Sequence, residues 1–275
     1  MRNLLQIFKT VDCAVLTTGL LLSTSCSTST NVVANRITFV ATEYMFLGPT
    51  ELPAGLTTLL LTNKGQEIHW MEMYRLAEGR ALDDFQHLVQ DTQLGGALPS
   101  WASAVGGPGW IPPGDASNVT VYLERGHYVL LCRFPTAEGI PHTTKGMTAS
   151  LHVAPTLKPP MNHPPEDVVL AISDSAFELS GPLRAGLRTI RVENVGSYRH
   201  EVYVFQLAPG KSIEDYRAWE QGGLRGAGPG RPLGGVTPFE RGQRLWFTAT
   251  FTMGVYVFGD ESGGGPDIFR QVTVQ

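Results

Sequence analysis

The sequence predicts an all-β fold built as two tandem sandwich domains, each with one short helical insertion. Three observations carry that prediction: many short strand-like runs, a self-similarity that writes the chain twice, and a proline-rich join between the copies.

The strand-like runs of the first copy are RITFVAT, LTTLLLTN, HWMEMYRL, NVTVYLE, HYVLLC and GMTASLHVA. Each is rich in β-branched and aromatic residues, and Gly, Pro or Asn separates it from the next. One segment breaks the pattern. ALDDFQHLVQ places Leu82, Phe85 and Leu88/Val89 at helical spacing, and Ile213, Tyr216 and Trp219 match it in the second copy. That stripe is read as packing against the sandwich.

The repeat is legible residue by residue. Ala54, Gly55, Leu56, Asn63, Gly65 and His69 recur at the same spacing as Ala185, Gly186, Leu187, Asn194, Gly196 and His200. Glu43 falls on Asp174, Gly106-Gly107 on Gly234-Gly235, and Tyr128 on Tyr256. The domains are accordingly residues 36–154 and 168–275, and the prolines of PTLKPPMNHPPED, residues 155–167, make a stiff linker.

With 25 acidic against 21 basic residues and no basic cluster, the chain has no electrostatic footprint for nucleic acid. The N-terminus reads as an export signal: Arg2 and Lys9 precede the apolar AVLTTGLLLS, which is too short to span a bilayer. Ending in STSC, residues 1–25 resemble a bacterial lipoprotein signal. That resemblance makes Cys26 the lipid-bearing first mature residue, followed by a flexible tether over 26–35. Cleavage nearby followed by ordinary secretion is the alternative. Either route gives an extracytoplasmic protein, periplasmic or at the cell surface, with membrane attachment through the lipid in the first case. Cys132 is then the one cysteine of the folded body, so no disulfide framework is expected.

Cys132, His142 and Met147 lie on one loop between two strands, and His69 follows TNKGQEI upstream. Thiolate, two imidazoles and a thioether are the donors a redox-active copper ion takes. Taken singly, a buried cysteine, a core histidine and a gap-filling methionine are the commoner roles. The four together, on segments that a sandwich brings to one end, favour metal. Among other histidines, strand parity turns His127 outward, while His87, His152 and His163 fall on the helical piece, the last strand and the linker. Met71 and Met73 read as core beneath the site. Asn118-Val-Thr120 fits a glycosylation acceptor, discounted beside a lipoprotein-like leader. No Gly-x-Ser-x-Gly, His-Glu-x-x-His or Cys-x-x-Cys occurs, which leaves hydrolase, zincin and dithiol readings without support.

Asn63-x5-His69 followed by Cys132, His142-x4-Met147 and a last strand resembles the cupredoxin, or blue copper, family. The resemblance implies Greek-key sandwiches and one type 1 copper ion in the first domain. It implies His69, Cys132, His142 and Met147 as ligands, with Asn63 steadying the ligand loop. It also implies His142 as the more solvent-near imidazole and the route of electron exchange, single-electron transfer as the function, and a redox protein such as a cytochrome or copper enzyme as partner. The chain departs from small blue copper proteins in the length of its Cys132–His142 loop, which is closer to that of copper nitrite reductases. Leu131 stands where those enzymes carry a type 2 copper histidine, and no His-x-His pair is present, so catalysis is not expected. A binding or copper-storage module without redox turnover, and a two-domain copper oxidoreductase, are the alternatives.

In the second copy, aligning Tyr128 with Tyr256 sets Cys132 on Asp260; aligning Pro141 with Pro266 sets His142 on Asp267 and Met147 on Val272. The second domain is expected to have lost its copper. His200, Asp260 and Asp267 form its one alternative metal set, suited to a harder ion.

Overall fold

The computed structural model describes residues 34–92, 98–261 and 265–275. The leader over residues 1–25, Cys26 and nearly all of the 26–35 tether lie outside them. Among the described residues no helix is long and apolar enough to cross a membrane.

The first copy forms β1 (Asn35–Thr42), β2 (Met45–Leu47), β3 (Glu51–Pro53), β4 (Gly55–Asn63), β5 (Glu72–Leu76), α1 (Leu82–Thr92), β6 (Ala102–Ala104), β7 (Pro108–Trp110), β8 (Ala116–Leu123), β9 (Gly126–Leu131) and β10 (Thr148–Ala154). The second forms β11 (Val168–Ser173), β12 (Ala176–Leu179), β13 (Gly186–Asn194), β14 (His200–Leu207), α2 (Ile213–Gln221), β15 (Gly230–Phe239), β16 (Arg244–Phe251), β17 (Gly254–Asp260) and β18 (Ile268–Val274). The all-β sandwich with one helix per copy is the fold class expected.

One pairing scheme occurs twice. Strand β1 runs parallel to β4 and carries β2 antiparallel on its other edge; β11 does the same with β13 and β12. Strand β8 pairs with β4 as β16 pairs with β13. The ladder β5–β9–β10 is repeated as β14–β17–β18. Tyr128 Oη donates to the Glu124 carbonyl at 2.7 Å and Tyr256 Oη to that of Thr252 at 3.0 Å, so the recurrent tyrosines pin equivalent corners. The helices match too. Phe85 and Tyr216 are fully buried, and α2 opens on a capping box between Ser212 and Asp215.

The two copies share sheets. An eight-stranded sheet runs β12–β11–β13–β16–β8–β4–β1–β2, joining the copies where β16 meets β8. Strand β7 leaves its own copy and pairs with β15, extending the ladder β18–β17–β14–β15. Asn118 bridges the first junction in both directions: its amide donates to the Thr248 carbonyl at 2.7 Å and accepts from the Thr248 N–H at 3.0 Å. The side chain of the Asn118-Val-Thr120 tripeptide is thus engaged inside the protein.

The recurrent glycine pairs mark the close approaches that permit this packing. A Cβ on Gly107 would lie 1.9 Å from the Met71 carbonyl oxygen, and one on Gly235, at φ +116°, 2.0 Å from that of Val202. The proline-rich segment lies along the body. Leu56 donates its N–H to the Pro160 carbonyl at 2.8 Å, Glu166 pairs with Arg191 at 3.1 Å, and Asp167 accepts the Thr189 N–H at 2.8 Å.

Candidate metal centre

The upstream ligand is placed by an asparagine. Asn63, buried at the end of β4, donates through Nδ2 to the carbonyls of Glu67 at 2.7 Å and Ile111 at 3.0 Å, and accepts the Gly65 N–H at 2.8 Å. The three bonds close the loop from Asn63 to Glu67 and deliver the chain to Ile111. His69 exchanges backbone hydrogen bonds with Ile111 at 3.1 and 2.8 Å. The sequence reading opens a strand at His69. In the structure His69 occupies an isolated bridge and β5 begins only at Glu72, because residues 69–71 pair with Ile111 and Pro108 rather than β9.

Cys132 follows β9, and its N–H donates to the Met147 carbonyl at 3.2 Å. The long loop between them is a hairpin. His142 N–H donates to Phe134 at 2.9 Å, Thr136 N–H to Ile140 at 2.9 Å and Gly139 N–H to Thr136 at 2.8 Å, with Pro135 bridged to Pro141. A hairpin returns the chain beside its point of departure, so the extra residues do not move His142 away from Cys132. His142 then opens a single 3-10 turn, His142–Lys145, which Gly146 ends at φ 98°.

Three donors converge. His142 Nδ1 lies 3.6 Å and His69 Nδ1 3.9 Å from Cys132 Sγ, and the two nitrogens are 3.2 Å apart. Ligand atoms held roughly 2.0–2.3 Å from one ion at tetrahedral to trigonal angles stand roughly 3.3–3.8 Å apart, so the trio fits a soft metal ion by spacing and by donor type. All three residues, and Met147, are fully buried. Among the described residues this is the one group of three or more His, Cys, Asp or Glu side chains whose ligand atoms converge closely enough to hold an ion.

Burial keeps the site neutral in the absence of metal. It pushes the Cys132 thiol up to about 12, against backbone hydrogen bonds from Trp70 and Phe134 that favour the thiolate. It also lowers His69 to about 4, with His142 as a second cause, and lowers His142. Unprotonated imidazoles are ready ligands, and the thiol must release its proton on metal binding.

His142 is not the solvent-near imidazole the family resemblance implies. It is fully buried, because three side chains cover it. Tyr44 packs edge-on at 5.1 Å, Phe134 at 6.0 Å, and Glu67 Oε2 lies 3.0 Å from His142 Nε2. Tyr44 Oη donates to the same Glu67 carboxylate at 3.3 Å, and Tyr44 adopts a left-handed φ of 62°. Sequence reasoning missed Tyr44 and Glu67. Glu43 recurs as Asp174, and each anchors the equivalent loop of its own copy: Glu43 accepts the Gln66 N–H, Asp174 those of Ser197 at 2.5 Å and Tyr198 at 3.3 Å.

The second copy repeats the frame without the cage. Asn194 binds the Tyr198 and Phe239 carbonyls at 2.9 and 3.1 Å and accepts the Gly196 N–H at 3.1 Å. Asp260 occupies the place of Cys132, its Oδ2 2.5 Å from His200 Nδ1, while Asp174 Oδ1 lies 3.1 Å from Nε2. Both imidazole nitrogens are therefore engaged by carboxylates. Burial opposes charge on His200, but the bonds to Asp260 and Asp174 outweigh it and raise its pKa.

Asp267 does not join them. It is exposed, and the register sets Asp260 against Ile268, so Ile268 rather than Val272 stands where Met147 does. Among the described residues the expected His200, Asp260 and Asp267 set is not assembled. Of the remaining histidines, His127 is exposed and stacks on His152 at 5.1 Å, His87 is exposed on α1, and His163 stacks on Trp246 at 4.9 Å. Met71 and Met73 are core residues.

No family model matches the chain, and no curated protein does. Several solved structures are similar to it at low identity. Reduced auracyanin from Roseiflexus castenholzii is 20% identical, covering 45% of this chain and 99% of its own, with a TM-score of 0.31. A multicopper oxidase is 15% identical over 87% of this chain and 88% of its own, at 0.25. The copper-containing nitrite reductase of Thermus scotoductus is 11% identical over 88% of this chain and 62% of its own, at 0.26.

Proposed function

We propose that the protein is an exported, lipid-anchored carrier of single electrons that binds one copper ion in a type 1 site of its first domain. The convergence of His69 Nδ1, His142 Nδ1 and Cys132 Sγ in a fully buried pocket is the observation that supports this most. Bound there, copper would supply a one-electron couple between Cu(II) and Cu(I).

The chain's own residues prepare that couple. Asn63 fixes the loop that carries His69, and the hairpin neck between Phe134 and His142 fixes the second imidazole. Trp70 and Phe134 N–H groups face the sulfur and stabilise it as thiolate. Glu67, opposite His142 Nε2, holds the ring so that Nδ1 faces the cysteine. A cage formed by packed strands and hydrogen-bonded turns moves little between oxidation states, which favours fast exchange. Met147, fully buried and joined to Cys132 by a backbone hydrogen bond, is proposed as the further residue that would hold the ion, and a redox protein is the proposed partner.

The second domain, in which His200 is bound by carboxylates, is read as a domain that lost its copper and retained its frame. Spectroelectrochemistry of the copper-loaded protein tests the function. A reversible one-electron wave, lost in Cys132→Ser, is expected. Copper bound without any reversible couple would favour storage instead.

A further inference from the structure

Four aromatic rings form a stack that crosses from the candidate centre into the second copy. Trp70 follows His69 and aims its backbone N–H at the Cys132 sulfur. Its indole stacks on Trp110 at 5.2 Å and 19°, Trp110 stacks on Tyr203 at 4.9 Å and 20°, and Tyr203 on Tyr216 at 5.7 Å and 25°. Trp110 lies on β7, the strand that leaves its own copy to pair with β15. The stack therefore passes through the point where the copies are joined.

Stacking alone is an ordinary packing outcome. Two further features are not required by packing. All four rings are indoles or phenols, the side chains that surrender a single electron most readily, and not phenylalanines. The rings at two separate positions also donate to a carboxylate: Trp70 Nε1 to the buried Glu72 at 2.8 Å and Tyr203 Oη to the half-buried Glu261 at 2.6 Å. Loss of an electron makes an indole or phenol strongly acidic, so a carboxylate at hydrogen-bond distance lets electron and proton leave together.

We propose that Trp70, Trp110 and Tyr203 form an electron-transfer conduit that carries single electrons from the second copy to the wall of the candidate metal centre. The conduit gives the second copy a task after loss of its own copper ligands. Its use by a bound copper ion rests on the reading above; its conduction does not, because every step involves this chain's own rings. An oxidant takes one electron from Trp70, and the indole proton passes to Glu72. Trp110 refills Trp70 with one electron, Glu72 returns the proton, and Trp110 is left as a radical cation. Tyr203 then gives one electron to Trp110 and its phenolic proton to Glu261, ending as a neutral phenoxyl radical.

Pulse radiolysis of the metal-free protein, with the azide radical as one-electron oxidant reduced to azide, tests this without copper. Solutions are held at pH 9, where Glu261, pushed up to about 8 by burial, is ionised. Decay of the indolyl band and growth of the phenoxyl band are expected at one shared first-order rate, independent of protein concentration. Tyr203→Phe, which keeps the ring, is expected to slow that growth by an order of magnitude, whereas Tyr122→Phe at an exposed site leaves it unchanged. A variant with Trp101, Trp219 and Trp246 replaced by Phe confines the indolyl signal to the stack. If that variant does not fold, the comparison of native protein with Tyr203→Phe decides alone. Phenoxyl growth that scales with protein concentration, or that keeps its rate in Tyr203→Phe, overturns the conduit and leaves copper binding untouched.

Discussion

Asn63 and Asn194 do the same work for different ends. Each satisfies two carbonyls and one N–H that would otherwise be buried without partners. Replacing either by Ala should cost roughly 2–4 kcal/mol in urea unfolding, since an orphaned buried group costs about 1–3 kcal/mol. Only Asn63→Ala should also weaken copper uptake, because only that loop carries a ligand. Equal copper affinity in Asn63→Ala and Asn194→Ala would contradict the division of labour. His69 adds a pH dependence to the metal-free protein. Its pKa falls from 6.5 to about 4 on folding, so the unfolded chain binds the extra proton between those values. Stability is full above pH 6.5 and declines as pH falls through that window, by up to about 3 kcal/mol. His69→Gln should flatten that part of the stability curve, as read from urea midpoints at pH 7 and pH 4.5.

At the scale of elements, the loop between β9 and β10 shows what sequence could and could not disclose. The candidate donors Cys132 and His142 were legible because soft ligands flanked by strand-like runs are uncommon. The covering of His142 was not, because Tyr44 and Glu67 come from distant segments and neither carries a ligand signature. The loop's length set it apart from small blue copper proteins; in the structure it is a hairpin closed at Phe134 and His142, whose tip accepts a hydrogen bond from Arg225 at the Glu138 carbonyl. Replacing Thr136–Ile140 with a two-residue Asn-Gly turn should accordingly leave copper uptake unchanged. Loss of copper binding in that variant would show that the hairpin tip shapes the site. The register of β17 and β18 carries a similar lesson: matching proline to proline misplaced Asp267 and Val272, since a loop whose length has changed cannot be aligned by its residues alone.

At the scale of the whole molecule, the described residues fold as a pair of copies that share sheets. The internal repeat was readable from spaced Asn, Gly, Tyr and His residues. The sharing was not, since β7 is three residues long and nothing in its sequence names its partner. With β16 paired to β8 and β7 to β15, unfolding either copy strips edges from the other. Calorimetry should show one cooperative transition, and two resolved transitions would contradict this. Glu261 contributes in the opposite direction to His69. Burial raises its pKa from 4.5 to about 8, so stability present below pH 4.5 is lost as pH rises through 8. Glu261→Gln should therefore stabilise the protein more at pH 9 than at pH 5, measured as the shift in its thermal midpoint.

On the proposed function, one buried trio, His69, Cys132 and His142, holds a copper ion through the cysteine sulfur. Titration of the mature metal-free protein with Cu(II), followed together by visible absorption and electron paramagnetic resonance, tests it most directly. Saturation at one copper per chain, an intense thiolate-to-copper charge-transfer band with a type 1 signal, and loss of both in Cys132→Ser are expected. Colourless protein that takes up no copper, or a band that survives Cys132→Ser, would contradict it.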